Sequence, residues 1–245
     1  MIANPDRRRF LAGAAAVAAA PRTLFDGKTV TIGDRDYALT EILSPSTASL
    51  RGEREPGAEF AAAVLAKAVR SGVLIQTENT PTDRWGRITG PIRWRTNEGC
   101  ETTLQEILLA EGAARVAPEG RDFDFIDRCY AAERSARDAA LGLWSQQHWS
   151  VRDARAAPWS RGYHIYRGEI QRADDRNGRV YFNFGDDFRT DFTATVARRD
   201  FRRWRGEPAV ESFNRALVEV RGIVLPINGP SIEIRHELQM RRIAS

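Results

Sequence analysis

Thr82-Asp83-Arg84-Trp85-Gly86-Arg87 is the stretch on which the fold of this 245-residue chain is read. It sets an acid, an aromatic between two arginines, and a turn glycine within six residues. Glycine there serves a tight reversal of the backbone. Arg87 has two readings. It contacts a phosphate, or it forms an ion pair with Asp83 or with a carboxylate on the long helix downstream.

Around that turn the hydrophobic periodicity alternates between strand and helix. Residues 28–32, 37–42, 73–77 and 88–94 carry the β-branched and aromatic residues of short strands. Residues 59–69 place Phe60, Val64, Leu65 and Ala68 at helical spacing. Thr103 predicts an N-cap for a helix through Leu104, Ile107 and Leu108 that stops at Gly112. Residues 123–141 predict the longest helix, ending at Gly142. Residues 147–160 are polar and punctuated by Ala and Pro, as a linker is.

Beyond it the pattern is mainly β. Residues 163–170 and 179–184 alternate, with Asn177-Gly178 marking a hairpin between them, and 192–196 forms a third strand. A helix is predicted within 200–217, then strands 218–225 and 232–235 joined through Asn228-Gly229. Three strands, a helix and two strands is the order of an OB-type barrel. The fold class is therefore mainly β with helices (α+β). Short strands with three helices at 21–146 are followed by an OB-like β-barrel at 161–245.

Composition bounds the function. Hydrophobic residues make up 42% and charged residues 29%, which fits a globular chain and not a disordered one. No apolar run is long enough to span a membrane. Arg7-Arg8-Arg9-Phe10-Leu11 before an alanine-rich stretch reads as a twin-arginine export signal over 1–20, giving a periplasmic or secreted protein. Residues 21–150 hold 16 Lys/Arg and 19 Asp/Glu, whereas 151–245 hold 18 and 13, so attraction for a polyanion is expected in the C-terminal part. Cys100 and Cys129 lack a framework spacing and read as unpaired, buried thiols. His148, His164 and His236 stand apart in sequence and read as surface or packing residues, so no metal site is expected.

Four segments in register resemble the thermonuclease (staphylococcal-nuclease-like) family over residues 26–145. They are Asp26-Gly27-Lys28-Thr29-Val30, the 82–87 turn, Ile107 to Val116, and Ala131-Ala132-Glu133 through Gly142-Leu143-Trp144-Ser145. The resemblance implies an OB barrel with three helices and calcium-assisted cleavage of nucleic acid. That chemistry uses two aspartates on the metal, a glutamate base, and two arginines facing the transition state. Carried across, the first metal aspartate falls on Lys28, the first arginine on Ala38 and the second metal aspartate on Leu43. The neighbouring threonine falls on Ser44, the base on Ser46, and two pocket aromatics on Pro118 and Gly120. Only the second arginine remains, as Arg87.

The resemblance and the substitutions together imply an exported thermonuclease-like protein, catalytically impaired, that binds single-stranded nucleic acid or a protein partner. No cofactor is expected in this reading. Arg84 and Trp85 keep the basic and aromatic character of the turn. Arg179, Tyr181 and Asn183 share one face of a strand and, with Arg189, form the expected contact surface of the second barrel. Two alternatives stand beside it, an active calcium-dependent nuclease with a rearranged site and an envelope protein-interaction module.

Overall fold

The computed structural model describes residues 28–46, 54–75, 81–156, 159–187 and 189–243. The expected export signal and Asp26-Gly27 lie outside these residues. The fold is mixed α+β, with four α-helices among the described residues. Two hydrophobic clusters underlie it, one within 30–130 and one within 154–240.

The first cluster is built from short strands and three helices. Strands β1 (Thr29–Ile32) and β2 (Arg35–Ala38) form a hairpin in which Thr29 pairs with Ala38. Strand β3 (Ile42–Leu43) is followed by α1 (Ala58–Arg70), β4 (Gly72–Leu74), β5 (Arg93–Thr96) and β6 (Glu101–Thr103). Helix α2 (Leu104–Ala110), strand β7 (Arg115–Val116) and helix α3 (Phe123–Asp138) complete it.

Thr103 caps α2 as its sequence position predicts. Its Oγ1 accepts from the Glu106 amide at 3.1 Å and donates to the Glu106 carboxylate at 2.8 Å. Leu65, Leu104, Leu108, Phe125 and Ile126 bring the inward stripes of the three helices against Leu39, Ile42 and Trp94. The strand expected over 88–94 forms only from Arg93, because Gly90 has φ 102 and Pro91 has no N–H to donate. Helix α3 ends at Asp138, before the expected 141, where Ala140 turns left-handed with φ 51. A Cβ on Gly142 would stand 2.6 Å from the Glu111 carbonyl, so only glycine lets these two helix ends meet.

The second cluster lies inside a curled sheet. Its path runs β10 (Arg172–Arg176), β11 (Arg179–Asn183), β12 (Thr193–Ala197), β14 (Pro230–Ile234), β13 (Leu217–Pro226), β9 (Gly162–Glu169) and β8 (Arg152–Asp153). Strand β15 (Met240–Arg242) pairs with β13. Strand β10 at one end of this path and β9, next to the other end, belong to one bent strand. The Ile170 amide still donates across to Ala216, whereas the Gln171 amide donates to Asn183 on the opposite edge. The chain changes partner within one residue, and β9–β10 thereby borders both sides of an OB-like half-barrel. The helix expected within 200–217 is reduced to α4 (Arg198–Phe201) and a 3₁₀ turn at Val210–Phe213. Gly206 with φ 76 and Pro208 separate the two. Phe201, Trp204 and Phe213 still point inward as expected, clustering around Phe182. Strand β10, Arg-Ala-Asp-Asp-Arg, was not expected, since a polar edge strand carries little periodic signal.

The stretch 147–160, expected as a linker, carries structure of its own. Trp149 is buried, and β8 pairs in parallel with β9.

A charged network joins the two clusters. Arg221 on β13 reaches Glu133 on α3 through two parallel bonds of 2.8 and 2.9 Å, and both side chains are 2% exposed. Glu133 also accepts from the Val116 amide at 2.5 Å, and Arg221 donates to the Val116 carbonyl at 3.1 Å. Alongside, Glu219 accepts two bonds from Arg137 and two, of 2.5 and 3.2 Å, from Arg167. Partial burial alone raises the Glu219 pKa, but the bonds from Arg137 and Arg167 hold it down to about 2. Tyr130 donates to the Leu238 carbonyl across the same seam.

Two outcomes are expected. Glu133→Ala strands a buried guanidinium and lowers stability by about 3–5 kcal/mol, whereas Glu133→Leu combined with Arg221→Met costs far less than the two single changes together. Urea unfolding of the three variants measures this. Glu219 has a folded pKa below its unfolded value, so its stabilisation is present above about pH 4.5 and is lost as the pH falls toward 2. The loss is on the order of 3 kcal/mol, and Glu219→Gln flattens that acid limb in thermal melts.

Candidate nucleic-acid interface

The 82–87 stretch folds as a turn organised by one carboxylate. Asp83 Oδ1 accepts from the amides of Trp85 and Arg87 at 2.9 and 3.0 Å, and Oδ2 accepts from Arg87 Nε at 2.8 Å. Burial raises the Asp83 pKa, yet these bonds outweigh it and hold the carboxyl below its ordinary value. The aspartate fixes the loop because it satisfies amides that a tight turn leaves unpaired. Gly86 supplies φ 80 at the corner. Arg87 forms the ion pair with Asp83, and its Nη1 also donates to Thr29 Oγ1 at 2.6 Å. That bond ties the turn to β1.

The result is an exposed aromatic among cations. Trp85 is 65% exposed. The guanidinium carbons of Arg84 and Arg87 lie 4.0 and 5.0 Å from its ring centroid. A solvent-facing indole with two guanidiniums at its side offers a stacking surface and positive charge for a nucleobase and its phosphate.

The family comparison agrees with this geometry. Residues 37–146 match the model of the staphylococcal nuclease homologue family. This segment is a staphylococcal-nuclease-like domain. No match to the chain is found among curated proteins.

The nuclease-like domain carries other side chains where the resemblance expects its metal and base. Lys28 pairs with Glu119 at 3.1 Å. Ala38 is buried, and its amide donates to the Ile88 carbonyl. Leu43 lies in β3 opposite Arg115. Ser44 is buried, with its Oγ lacking a partner. The Ser46 amide donates to the Glu55 carboxylate at 2.8 Å. Pro118 is buried, and Gly120 packs so closely on Glu41 that a Cβ would stand 2.2 Å from its Oε1. Glu41, at φ 67, accepts from the Glu119 amide, and burial raises its pKa against that bond. An ammonium and an isobutyl group supply no oxygen, so these positions do not fit a calcium ion. Among the described residues no three His, Cys, Asp or Glu side chains are grouped to hold a metal.

The other expected contact residues are spread over the curled sheet. Arg179 donates to Glu233 and Thr195. Asn183 is buried and bonds the Arg172 carbonyl. Tyr181 stays partly exposed with Arg176 4.9 Å from its ring, and the Arg189 amide donates to Asp187. Arg172, Arg198 and Arg205 pair with Asp174, Asp175 and Glu237, so the basic excess is distributed among ion pairs.

Both cysteines are free, as expected, but Cys100 is exposed whereas only Cys129 is buried. His236 packs, tilted against the Phe123 ring and facing the Gly120 carbonyl. His148 and His164 are brought within 6.2 Å of each other beside Arg115. Spacing in sequence could not reveal that pairing, since the 147–149 turn and β9 meet only through the tertiary fold.

Asp83→Ala removes the acceptor for three donors and is expected to lower the midpoint of thermal unfolding. It should also loosen the turn, which a faster amide hydrogen exchange of Trp85 and Arg87 reports.

Proposed function

We propose that this chain is an exported nucleic-acid-binding protein built on a nuclease-like domain that has lost calcium-assisted phosphodiester cleavage. The observation that carries the proposal is Trp85 in the open between Arg84 and Arg87, on a turn locked by Asp83. Stacking is indifferent to base identity because every base has a π-face, so single-stranded segments are the fitting ligand. Loss of cleavage is supported by Lys28, Leu43 and Ser46 at the positions where the resemblance places metal ligands and base. A positioned base contributes roughly 10²–10⁴ in rate, and one retained arginine does not replace it. Export is supported by the arginine cluster and alanine-rich run of residues 1–20. No helix among the described residues is long and apolar enough to cross a membrane.

One observation favours a second reading, an active nuclease with a rearranged site. The Glu55 carboxylate stands 2.8 Å from the Ser46 amide, beside the position where the resemblance places the base. One carboxylate oxygen and the backbone of Glu55 are used by the loop, since the Glu55 amide also donates to the Ser46 carbonyl at 3.0 Å. We therefore read Glu55 as a loop clamp.

Fluorescence anisotropy with a single-stranded oligonucleotide tests the binding reading. Trp85→Ala is expected to weaken binding roughly tenfold, corresponding to about 1–3 kcal/mol per stacked base. Affinity should fall as salt rises, with a shallower slope in Arg84→Gln. Absence of binding at low salt overturns the proposal. Calcium-dependent cleavage that chelator stops and Glu55→Gln abolishes would establish the second reading in its place.

A further inference from the structure

Arg115 is a buried cation without a carboxylate. Its side chain is on β7, it is 6% exposed, and no ion pair involves it among the described residues. Its guanidinium lies 4.1 Å from the centroid of Trp149 and 5.0 Å from that of Tyr163. Stacking on a ring face leaves guanidinium N–H groups free to point outward in their own plane. Arg115 Nε and Trp149 Nε1 are both sealed from solvent with no acceptor among the described residues. Two buried donors on one stacked pair thus lack what they need, and buried donors are normally satisfied.

The surroundings add donors and positive charge. Arg152 on β8 donates to Ser160 Oγ at 3.1 Å, and Ser160 Oγ lies 3.0 Å from His164 Nε2. His148 stands edge-on to Trp149 with centroids 5.4 Å apart. Burial first, then Arg115 and Arg152, lower the His148 pKa. Burial, then the same arginines in the reverse order, push His164 down to about 4. Burial brings Arg115 down to about 10, which leaves it cationic at neutral pH. Glu55 is the acid within electrostatic reach of both Arg115 and His148, and its carboxylate already accepts from Ser46. Glu133 also lies within electrostatic reach of Arg115 but bonds Arg221, so among the described residues Arg115 Nε and Trp149 Nε1 still have no acceptor of their own.

We propose that Arg115, Trp149, His148 and Arg152 form a binding site for a phosphate group at the junction of β7, β8 and the 147–149 turn. The site is separate from the Trp85 turn and does not depend on the function proposed for it. A tetrahedral oxyanion supplies several acceptors at once, which fits a guanidinium fork, an indole N–H and an imidazole better than one carboxylate does. The phosphate comes from one of two sources, free phosphate or the terminal monophosphate of a nucleic acid.

Calorimetric titration of the full chain with inorganic phosphate, replacing chloride at constant ionic strength, tests the site. Saturable one-to-one binding is expected, weakened about tenfold or more by Arg115→Gln and less by His148→Gln, because charged hydrogen bonds are the stronger ones. Exposed Arg202→Gln and Trp85→Ala should leave it unchanged. His148 is on the surface, so its variant keeps the test valid if Arg115→Gln fails to fold. A 5′-phosphorylated dinucleotide compared with its hydroxyl-ended form separates the sources. A gain from the phosphate that Arg115→Gln or His148→Gln removes indicates the nucleic-acid terminus, and equal binding of the two forms indicates free phosphate. Phosphate heats that match chloride, or an affinity unaltered in both variants, overturn the proposal.

Discussion

The doubly bonded pair of Arg221 and Glu133 is the constraint on which the arrangement of this protein rests. Each charge is removed from water, and each is tolerable only because the other stands opposite with the Val116 amide and carbonyl completing the set. Burial of that pair fixes α3 against β13 in both distance and rotation, since parallel guanidinium–carboxylate bonds have little angular freedom. Glu219, Arg137 and Arg167 repeat the device nearer the surface. The seam between the two hydrophobic clusters is thus polar and directional. A greasy seam of equal area would allow sliding.

The same seam reaches into β7. Val116 is bonded on both backbone groups to the Glu133–Arg221 pair, and the Val116 carbonyl also accepts from Tyr163. Its neighbour Arg115 points away from the first core because successive residues of a strand face opposite ways. That alternation delivers a cation to Trp149 and Tyr163 while Leu43 lies opposite it in the register. An isobutyl side chain at Leu43 and a stacked guanidinium at Arg115 are thus register partners across β3 and β7. On the opposite side of the nuclease-like domain's opening strand, Arg87 holds Thr29 while Lys28 turns to Glu119. At the two positions where the resemblance expects metal aspartates, the structure has an ammonium and an isobutyl group, with Glu119 paired to the former.

Much of the fold was legible in short-range pattern. Thr103 announced the start of α2, Asn177-Gly178 the β10–β11 hairpin, and the alternation of Val180, Phe182 and Phe184 the inside of the second barrel. Failures came where a local signal met a conflicting one. Gly90-Pro91 cut a strand short, and Gly206 with Pro208 broke a helix whose aromatic spacing was otherwise right. The candidate interface divided in the same way. Asp83, Trp85 and Arg87 lie within five positions, so their turn could be read directly. Arg179 and Asn183 also lie close in sequence, but their partners Glu233, Thr195 and Arg172 come from other strands, and only the sheet's register brings them there.

Sequence by itself determined the elements of this protein, the family likeness of its first half, and the identity of residues at each expected catalytic position. Those properties depend on caps, turns and periodicities spanning a few residues. Tertiary structure alone decided the Arg221–Glu133 seam, the bent strand that closes the half-barrel, and the cluster of Arg115, Trp149, His148 and Arg152. Their members are brought together by strand pairing and burial over long chain separations. No local spacing encodes such a meeting, because it depends on which buried charges can find a partner.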